Sequence, residues 1–544
     1  MKRYLLIALP LLALLIVSCP DLFAQTKKAE ARQAYDQGTE LTRKSQYKEA
    51  AAKFLEAITI DPEFADAHSD YTFARKMAVT DLSNRSGSKD AVEKETVALC
   101  QEYEGLAARN PRLAVFEWVL SDLFIYRDYG QMEAHLKKAL AIDPKYSKAL
   151  QSYALLEEVK GNQKGQLEYL RKAAAAQPDN PDMAFYYANS LKSVKPAAYE
   201  RESLAVARRF PSSERGAQSL YWLAFNETQS NRKIEILEQL RQSFPIEKFS
   251  WSRAGMSQLY EQYHVLGSDK ALELAEAMLK LANSDYEKRT WTKARDFERR
   301  LKQAEELLAA NSADDALKVL QSAVKPDRLD ATRLFKMKIR AAADEVSRRT
   351  VYAELVAAVV TEPSDRLINE MTQLGSKLGK DTLAISRDVD ARLDSLARPA
   401  ADLVGSVYGA GSTFKLSSQH GRVTMLNFWY PFCGPCRGEN PGLQRVYSKL
   451  KSSGFQIIAV NVHGNEDSFV LPYIKGNGFG FLPVKGSEAE AEKDWEARGF
   501  PTNFLIDTDG KVIYKLGPMR GENEERRLEL QIKFLLDRAA RRKL

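Results

Sequence analysis

Residues 427–441 read NFWYPFCGPCRGENP, and they place two cysteines where a strand meets a helix. Residues 423–429 form an apolar run typical of a buried strand, and a helical pattern follows from 434 to 451. Cys433 then lies at the helix N-terminus, where partial positive charge and unpaired backbone N–H groups lower the pKa of a thiol. Cys436 lies one turn further on, close enough to form a disulfide with Cys433. The pattern therefore predicts a redox-active cysteine pair.

Outward from this junction, strands and helices alternate almost to the C-terminus. The predicted strands cover residues 455–462, 481–484, 502–506 and 511–516. The predicted helices cover residues 468–475, 489–497 and 524–541. The turn sequence DTDG at residues 507–510 joins the last two strands as a hairpin. This alternation, closing with a hairpin and a helix, predicts a three-layer α/β domain with a central mixed sheet.

The α/β domain resembles the thioredoxin superfamily in several features. They are Trp429 in the strand, the Cys433-Gly434-Pro435-Cys436 motif, Pro441 in the helix and the Gly-Phe-Pro-Thr segment at 499–502. Within the superfamily it is most similar to the exported TlpA-type thiol–disulfide reductases. With these it shares Glu439 and an extra strand–helix insertion between residues 461 and 495. The resemblance covers residues 399–544.

The resemblance implies a thiol–disulfide oxidoreductase that reduces protein disulfides and is itself reduced by an unidentified electron donor. Cys433 would attack a substrate disulfide, and Cys436 would resolve the mixed disulfide. Asn427 stands where cytoplasmic thioredoxin has a buried aspartate that relays protons to the second cysteine. We expect Glu439 to replace that acid, because three residues along a helix place it on the same face as Cys436.

A substrate groove beside the cysteines is also implied by the resemblance. In the family a cis-proline loop lies against the cysteine pair, so a cis peptide bond is expected before Pro501. Phe500 replaces the small or β-branched residue that is usual there, so substrate choice is expected to differ. The residues expected to bind substrate are Trp429, Gly434, Pro435, Phe500 and Pro501.

Other chemistries fit the cysteine pair less well. A structural zinc site needs four ligands, and the two cysteines have only the remote His420 and His463 to help, so no metal is expected. We expect His463 to be a solvated turn residue. Peroxiredoxin chemistry needs a threonine before the reactive cysteine, and none is suitably placed. The sequence contains no glycine-rich loop of the kind that binds phosphate, so no organic cofactor is expected. The rival function is a protein-interaction scaffold with a passive thioredoxin fold.

The first 390 or so residues show helical periodicity. Two pairs of prolines are 34 residues apart, which is the period of the tetratricopeptide repeat. The best copy, at residues 31–64, has Gly38, Ala50, Phe54 and Ala57 at the spacing of that family. The region therefore resembles a tetratricopeptide array, which stacks helix pairs into a solenoid whose groove is expected to bind a protein partner. The prolines that follow helical patterns are Pro62, Pro144, Pro178, Pro211 and Pro245.

These patterns divide the chain into four predicted segments. They are a signal peptide at 1–24, a tetratricopeptide repeat region at 28–245, degenerate helical repeats or a helical linker at 246–397, and the thioredoxin-like domain at 398–544. The predicted fold is thus an α-helical solenoid followed by an α/β domain. Cys100 lies within an apolar helical pattern, so we expect a buried structural thiol.

The N-terminus has the pattern of an export signal. Lys2 and Arg3 precede an apolar run at residues 4–17, which is too short to cross a membrane as a mature helix. Two processing sites compete. Cys19 follows a lipobox-like sequence and would then be lipidated, whereas cleavage after Ala24 would release the protein. Both predict a periplasmic protein. Only the first would tether it to the membrane, through the lipid on Cys19, and no other membrane contact is expected. The 80 basic and 73 acidic residues are well mixed, which argues against a nucleic-acid partner.

Overall fold

The computed structural model describes residues 20–80, 85–125, 127–192, 194–327, 329–519 and 521–542. The predicted apolar run at 4–17 and the lipobox cysteine, Cys19, lie outside the described residues. Within them, the chain forms a long helical region and then an α/β domain, as predicted. The helices before residue 398 are α1 (Pro20–Arg43), α2 (Tyr47–Ile60), α3 (Ala65–Ala78), α4 (Arg85–Arg109), α5 (Ala114–Phe124), α6 (Tyr129–Ile142), α7 (Ser147–Val159), α8 (Gln163–Ala176), α9 (Pro181–Ser190), α10 (Pro196–Arg209), α11 (Glu214–Phe225), α12 (Ser230–Ser243), α13 (Ser250–Val265), α14 (Lys270–Lys280), α15 (Asp285–Ala309), α16 (Ala313–Gln321), α17 (Thr332–Ala341), α18 (Glu345–Thr361), α19 (Asp365–Lys377) and α20 (Thr382–Leu396).

Proline positions explain where five of these helices end. In each case the proline follows the last helical residue by two positions, as Pro62 follows Ile60 of α2. Proline disfavours helical backbone in the residue before it, so the chain leaves the helix at that point. The same relation holds for α6, α8, α10 and α12, with Pro144, Pro178, Pro211 and Pro245.

The first two helices pack as closely as the repeat pattern predicts. Ala50 and Ala57 of α2 are fully buried, and Phe54 is 1% exposed. A Cβ atom on Gly38 of α1 would lie 2.6 Å from Cε1 of Phe54, so glycine is needed for the approach. The helical periodicity is therefore confirmed here, while the assignment to the tetratricopeptide family stays a prediction.

Helix starts in the later part of this region are set by local side-chain caps. The side chains of Ser284, Asp344, Ser364 and Asp381 each accept a hydrogen bond from a backbone N–H in the first turn of their helix. Such caps stabilise a helix start because they satisfy one of its unpaired donors. Cys100 in α4 is buried, as predicted.

The strands of the α/β domain are β1 (Arg398–Pro399), β2 (Val404–Ser406), β3 (Thr413–Lys415), β4 (Val423–Trp429), β5 (Phe455–Asn461), β6 (Leu482–Lys485), β7 (Thr502–Ile506) and β8 (Lys511–Leu516). Six of them form a mixed sheet with the order β1-β8-β7-β4-β5-β6. Strands β4, β5 and β6 are parallel to one another, β7 pairs antiparallel with β4, and β8 pairs antiparallel with β7. The helices are α21 (Gly434–Leu450), α22 (Asp467–Gly476), α23 (Glu488–Trp495) and α24 (Glu522–Arg541), and single 3-10 turns occupy Leu416–Gln419, Lys451–Ser453 and Gly464–Glu466.

The two faces of the sheet have separate cores because side chains alternate along each strand. Met425 and Trp429 of β4 face the core that contains Leu443 of α21 and Ile532 of α24. Phe428 faces the opposite core, which includes Trp495 of α23 and Phe414 of the β2–β3 hairpin. Helix α21, which begins at the Cys-Gly-Pro-Cys motif, therefore lies on the α24 side of the sheet.

The chain divides into two compact units, Met1–Tyr153 and Ala154–Leu544. The second unit joins helices α8 to α20 with the α/β domain through one continuous apolar core, which runs from Leu191 to Leu535. This division follows packing, and the four predicted segments stay predictions. Among the described residues, no helix is both long enough and apolar enough to cross a membrane.

Candidate functional site

The two cysteines lie at the junction where the sequence predicts them. Strand β4 ends at Trp429, and α21 begins at Gly434 with Cys433 as its N-cap residue. Cys433 and Cys436 are joined by a disulfide bond. Sγ of Cys433 also lies 3.2 Å from the backbone N of Cys436, which donates toward it. The first sulfur therefore sits among the unpaired N–H groups of a helix start, where a thiolate is stabilised.

Exposure differs between the cysteines and the residues that separate them. Cys433 is 2% exposed and Cys436 is fully buried, whereas Gly434 and Pro435 are exposed. Pro435 occupies the first turn of α21, where its missing N–H leaves no hydrogen bond unmade. The Gly-Pro dipeptide is thus accessible at the surface, and its role in substrate binding stays a prediction.

The loop before β7 completes the site. The peptide bond between Phe500 and Pro501 is cis, which confirms the prediction. The carbonyl oxygen of Phe500 lies 3.7 Å from Sγ of Cys433. The Phe500 side chain is half-buried, and Pro501 is buried. This loop therefore lies against the cysteine pair, and its backbone is within reach of a group bound to Cys433.

Trp429 does not belong to the substrate surface, so that expectation is wrong. All seven residues of the central strand β4 are buried, and Trp429 is 0% exposed. Its ring packs against Tyr473 of α22, with 5.3 Å between ring centroids. A side chain on an internal strand that faces the covering helices cannot reach solvent. Trp429 therefore packs in the core between β4 and these helices.

Glu439 lies one turn after Cys436 and is 2% exposed. Its carboxylate accepts hydrogen bonds from Nδ2 of Asn427 at 3.0 Å, from Nδ2 of Asn503 at 3.2 and 3.3 Å, and from the backbone N of Met519 at 2.9 Å. Burial raises the pKa of Glu439 to about 7, although these hydrogen bonds favour the charged form and oppose the shift. No cation is among these partners. The carboxyl can therefore exchange a proton near neutral pH.

Asn503 is part of this network and was not predicted. It lies directly opposite Asn427 in the antiparallel β4–β7 pair, and the two amides are 2.6 Å apart. Both amides therefore face α21, because directly paired residues share one face of a sheet. The hairpin prediction placed Asn503 on a strand, but its pairing with β4 could not be inferred from the sequence.

A second buried carboxylate, Glu466, was also missed. It is 0% exposed and accepts the backbone N–H of Phe432, the residue before Cys433, at 2.8 Å. Its other oxygen lies 3.2 Å from Nδ1 of His463. Glu466 follows the end of β5, and loops after the carboxyl ends of parallel strands often carry functional residues. That position was the available signal.

His463 is not the solvated turn residue that the sequence suggests. Its ring stacks on Tyr430, with 3.8 Å between centroids, and meets Phe500 edge-on at 6.4 Å. The side chain is 27% exposed. Two aromatic neighbours and the carboxylate of Glu466 hold it beside the substrate loop. Among the described residues, no group of three or more histidine, cysteine, aspartate or glutamate side chains could hold a metal ion.

Comparison with known proteins gives consistent matches for this part of the chain. Residues 396–532 match the family model named Redoxin. Thiol-disulfide oxidoreductase ResA of Bacillus subtilis (strain 168) is 35% identical over 103 residues, which are 19% of this chain and 57% of that protein. The chain thus spans less than two thirds of the length of that relative.

Two further matches cover more of the related proteins. Thiol-disulfide oxidoreductase ResA of Bacillus thuringiensis subsp. konkukian (strain 97-27) is 33% identical over 123 residues, which are 23% of this chain and 69% of that protein. The crystal structure of StoA from Bacillus subtilis is 26% identical, with a TM-score of 0.21, and the match covers 24% of this chain and 94% of that one.

Proposed function

The chain belongs, through its C-terminal domain, to the thiol–disulfide oxidoreductases of the ResA type, and from this premise we propose that it reduces protein disulfides with Cys433 and Cys436. The observation that carries the proposal is the bonded cysteine pair at the start of α21, against the cis-proline loop. A helix start activates the first thiol, and the loop offers backbone groups on which a substrate can dock.

The reaction is two exchanges of sulfur partners. In the reduced enzyme, the Cys433 thiolate attacks one sulfur of a substrate disulfide, and the other substrate sulfur leaves as a thiolate. Cys436 then loses its proton and attacks Sγ of Cys433, which releases the second substrate thiol and forms the Cys433–Cys436 disulfide. Two electrons pass from enzyme to substrate, and a dithiol electron donor restores the reduced pair by the reverse steps.

Glu439 is the proton acceptor for Cys436 in this scheme. A buried thiol is a poor nucleophile until it is deprotonated, and the nearest turn of α21 carries this carboxyl. With a pKa of about 7, it can take a proton at neutral pH and return it in the reverse reaction. The supporting observation is that its hydrogen-bond partners are neutral groups, so the charge remains able to change.

The direction of electron flow is proposed from the residues between the cysteines. Gly434 and Pro435 form the dipeptide found in reducing thioredoxins. A reduction potential near about −270 mV would support a reductant, whereas a value near about −120 mV would assign the chain as an oxidant. Equilibration of the full chain with glutathione buffers, followed by thiol counting, measures this potential.

The remaining roles concern location and partners. We place the mature protein outside the cytoplasm, because residues 1–24 have the pattern of an export signal. A lipid on Cys19 is the proposed membrane anchor if the lipobox is used. Protein thiols and disulfides are the proposed substrates, and the tetratricopeptide-like helices are proposed to bind a protein partner.

The test is reduction of insulin disulfides by the full chain with dithiothreitol as electron donor. We expect turnover by the native chain, loss of at least about a thousandfold in a Cys433→Ser variant, and native rates in a Cys100→Ser control. Cys100 is the matched control because it is a buried thiol remote in sequence from the pair. An inactive native chain, or an active Cys433→Ser variant, would favour the interaction scaffold instead.

A further inference from the structure

The turn between α7 and α8 packs against the redox site. This α7–α8 corner comprises residues 158–163, and its glycine, Gly161, touches the end of α22 at Gly476. A Cβ atom on Gly476 would lie only 2.5 Å from Cα of Gly161, and one on Gly161 would lie 2.6 Å from Cα of Gly476. Gly161 has φ +74°, which also favours glycine. Two backbones therefore meet directly, and Nε2 of Gln163 donates to Oδ1 of Asn477 at 3.0 Å beside them.

An ion pair joins the same corner to the cysteine helix. Oε1 of Glu158 lies 2.9 Å from Nε of Arg437, the residue directly after Cys436. Nη1 of Arg437 also donates to the carbonyl oxygen of Pro431 at 3.3 Å. The Arg437 side chain is 15% exposed and that of Glu158 is 30% exposed, so water screens the pair only in part. One guanidinium thus links the helical region to the loop that precedes Cys433.

That loop is held from two sides by carboxylates. Glu466, within the α/β domain, accepts the N–H of Phe432 at 2.8 Å. Glu158, from the helical region, acts through Arg437 on the carbonyl of Pro431. The backbone of Pro431 and Phe432, which precede Cys433, is therefore held by two contacts. The contact through Glu158 comes from outside the α/β domain.

We propose that Glu158 is a positioning residue of the redox site, which holds Arg437 against the Pro431 carbonyl and neutralises the cation nearest to the cysteine pair in sequence. The helical region then sets the acidity of the Cys433 thiol. The proposal rests on the assigned thiol–disulfide exchange for its biological meaning. A cation beside a helix start favours the thiolate, and a carboxylate on that cation reduces the effect.

Several other titratable groups lie on the elements that surround the cysteine pair. Glu466 and His463 lie on the loop after β5, and Glu439 lies deeper along α21. Tyr473 of α22 packs against Trp429 and is uncharged at neutral pH, because burial raises its pKa. All four stay unchanged in a Glu158 variant, so a shift in thiol acidity would report on the Glu158–Arg437 pair.

The test compares Glu158→Gln with Glu168→Gln in the full chain. Glu168 is the matched control, because it is an exposed α8 residue that pairs with Lys172 and its replacement removes the same charge. Both are made in a Cys436→Ser background, and the rate of Cys433 alkylation by iodoacetamide is followed against pH. Removal of Glu158 is expected to lower the midpoint by about 0.5 pH unit, or threefold in the thiolate-to-thiol ratio. An unchanged or higher midpoint in Glu158→Gln, relative to Glu168→Gln, would overturn the proposal.

The partner residue gives a second test with the opposite sign. Arg437→Gln is expected to raise the midpoint, because it removes the cation and leaves the carboxylate of Glu158 uncompensated. An unchanged or lower midpoint in Arg437→Gln would also reject the proposal. Alkylation needs no turnover, so an inactive native chain with a normal Glu158 effect would refute the assigned reaction and leave this inference standing.

Discussion

The helical region and the α/β domain each bury a carboxylate, and their surroundings differ. Glu298 of α15 is 4% exposed, and its oxygens contact Nδ1 of His264 at 2.6 Å, the hydroxyl of Tyr260 at 3.1 Å and Nη1 of Arg333 at 2.9 Å. Glu439 is 2% exposed, and its hydrogen-bond donors among the described residues are two side-chain amides and a backbone N–H. Within that part of the chain, the first acid is paired with a cation and the second is not.

The difference separates structural burial from functional burial. The carboxylate of Glu298 links three helices through its hydrogen bonds, and removing either partner of its ion pair with Arg333 leaves a charge uncompensated. The described partners of Glu439 are neutral dipoles, and burial raises its pKa to about 7, so its charge changes near neutral pH. In the proposed mechanism this change follows the state of Cys436. Burial of an acid is therefore a poor marker of a site unless its partners are neutral and a reactive group lies on the same helix face.

The largest expected effect is on the structural acid. Glu298→Ala should lower the free energy of unfolding by about 3–5 kcal/mol, because Arg333 and the buried His264 lose their acceptor. Urea denaturation followed by circular dichroism measures the change. Glu305→Ala, which removes an exposed partner of Arg333, should change stability by less than about 0.5 kcal/mol. Similar losses in both variants would contradict the distinction.

The next effect concerns the pH dependence of stability. The folded pKa of Glu439 is about 7, above its ordinary value of 4.5. Below pH 4.5 both states are protonated; as pH rises, the unfolded chain loses the proton first. The stabilisation of the folded state is therefore lost between pH 4.5 and 7, by about 3 kcal/mol in total. The free energy of unfolding should fall less steeply with pH in Glu439→Gln than in the native chain. Identical slopes in the two proteins would show that the pKa of Glu439 is not raised in the folded state.

Turnover should respond to the same substitution. At pH 7, Glu439→Gln is expected to slow release of the mixed disulfide about a hundredfold, because Cys436 loses its proton acceptor. Rapid-quench kinetics isolate this step, while attack by Cys433 should stay near the native rate. The inflection near pH 7 in the release rate should disappear as well. Release at the native rate with its inflection intact would remove Glu439 from the mechanism.

The smallest effect compares two glycines, one in each region. Gly38→Ala should destabilise α1 and α2 by about 1–2 kcal/mol, since its Cβ would lie 2.6 Å from the Phe54 ring. A Cβ on Gly434 would meet nothing within 4 Å, so Gly434→Ala should stay within about 0.5 kcal/mol. Hydrogen exchange of the affected helices measures both. A reversed order would mean that close packing does not explain the choice of glycine in the repeat.

Local signals in the sequence predicted much of the α/β domain. The hairpin strands at 502–506 and 511–516 match the structure residue for residue, because DTDG fixes the turn between them. The cis bond before Pro501 followed from the family resemblance. The two- and three-residue strands β1, β2 and β3 were missed. β1 is a strand only because it pairs with β8, more than a hundred residues later.

Long-range placement accounts for what the sequence could not reveal at the site. Cys433 and Cys436 are visible in the motif, but Glu466 reaches Phe432 across 34 residues. The Glu158–Arg437 contact spans 279 residues and has no local signature. The family resemblance implies that Trp429 binds substrate, whereas the internal position of β4 buries it. Contacts that depend on how helices pack on a sheet can be identified only from the structure.

The continuous apolar core that runs from Leu191 to Leu535 limits where the chain can be divided. Tyr514 of β8 donates to the carbonyl oxygen of Val360 at 2.8 Å, and Leu393 of α20 belongs to the same core as Ile532 of α24. A fragment that begins at residue 398 would expose the apolar surface that the preceding helices cover. Such a fragment should aggregate or bind other proteins nonspecifically. A fragment that keeps both halves of this core must begin before Leu191.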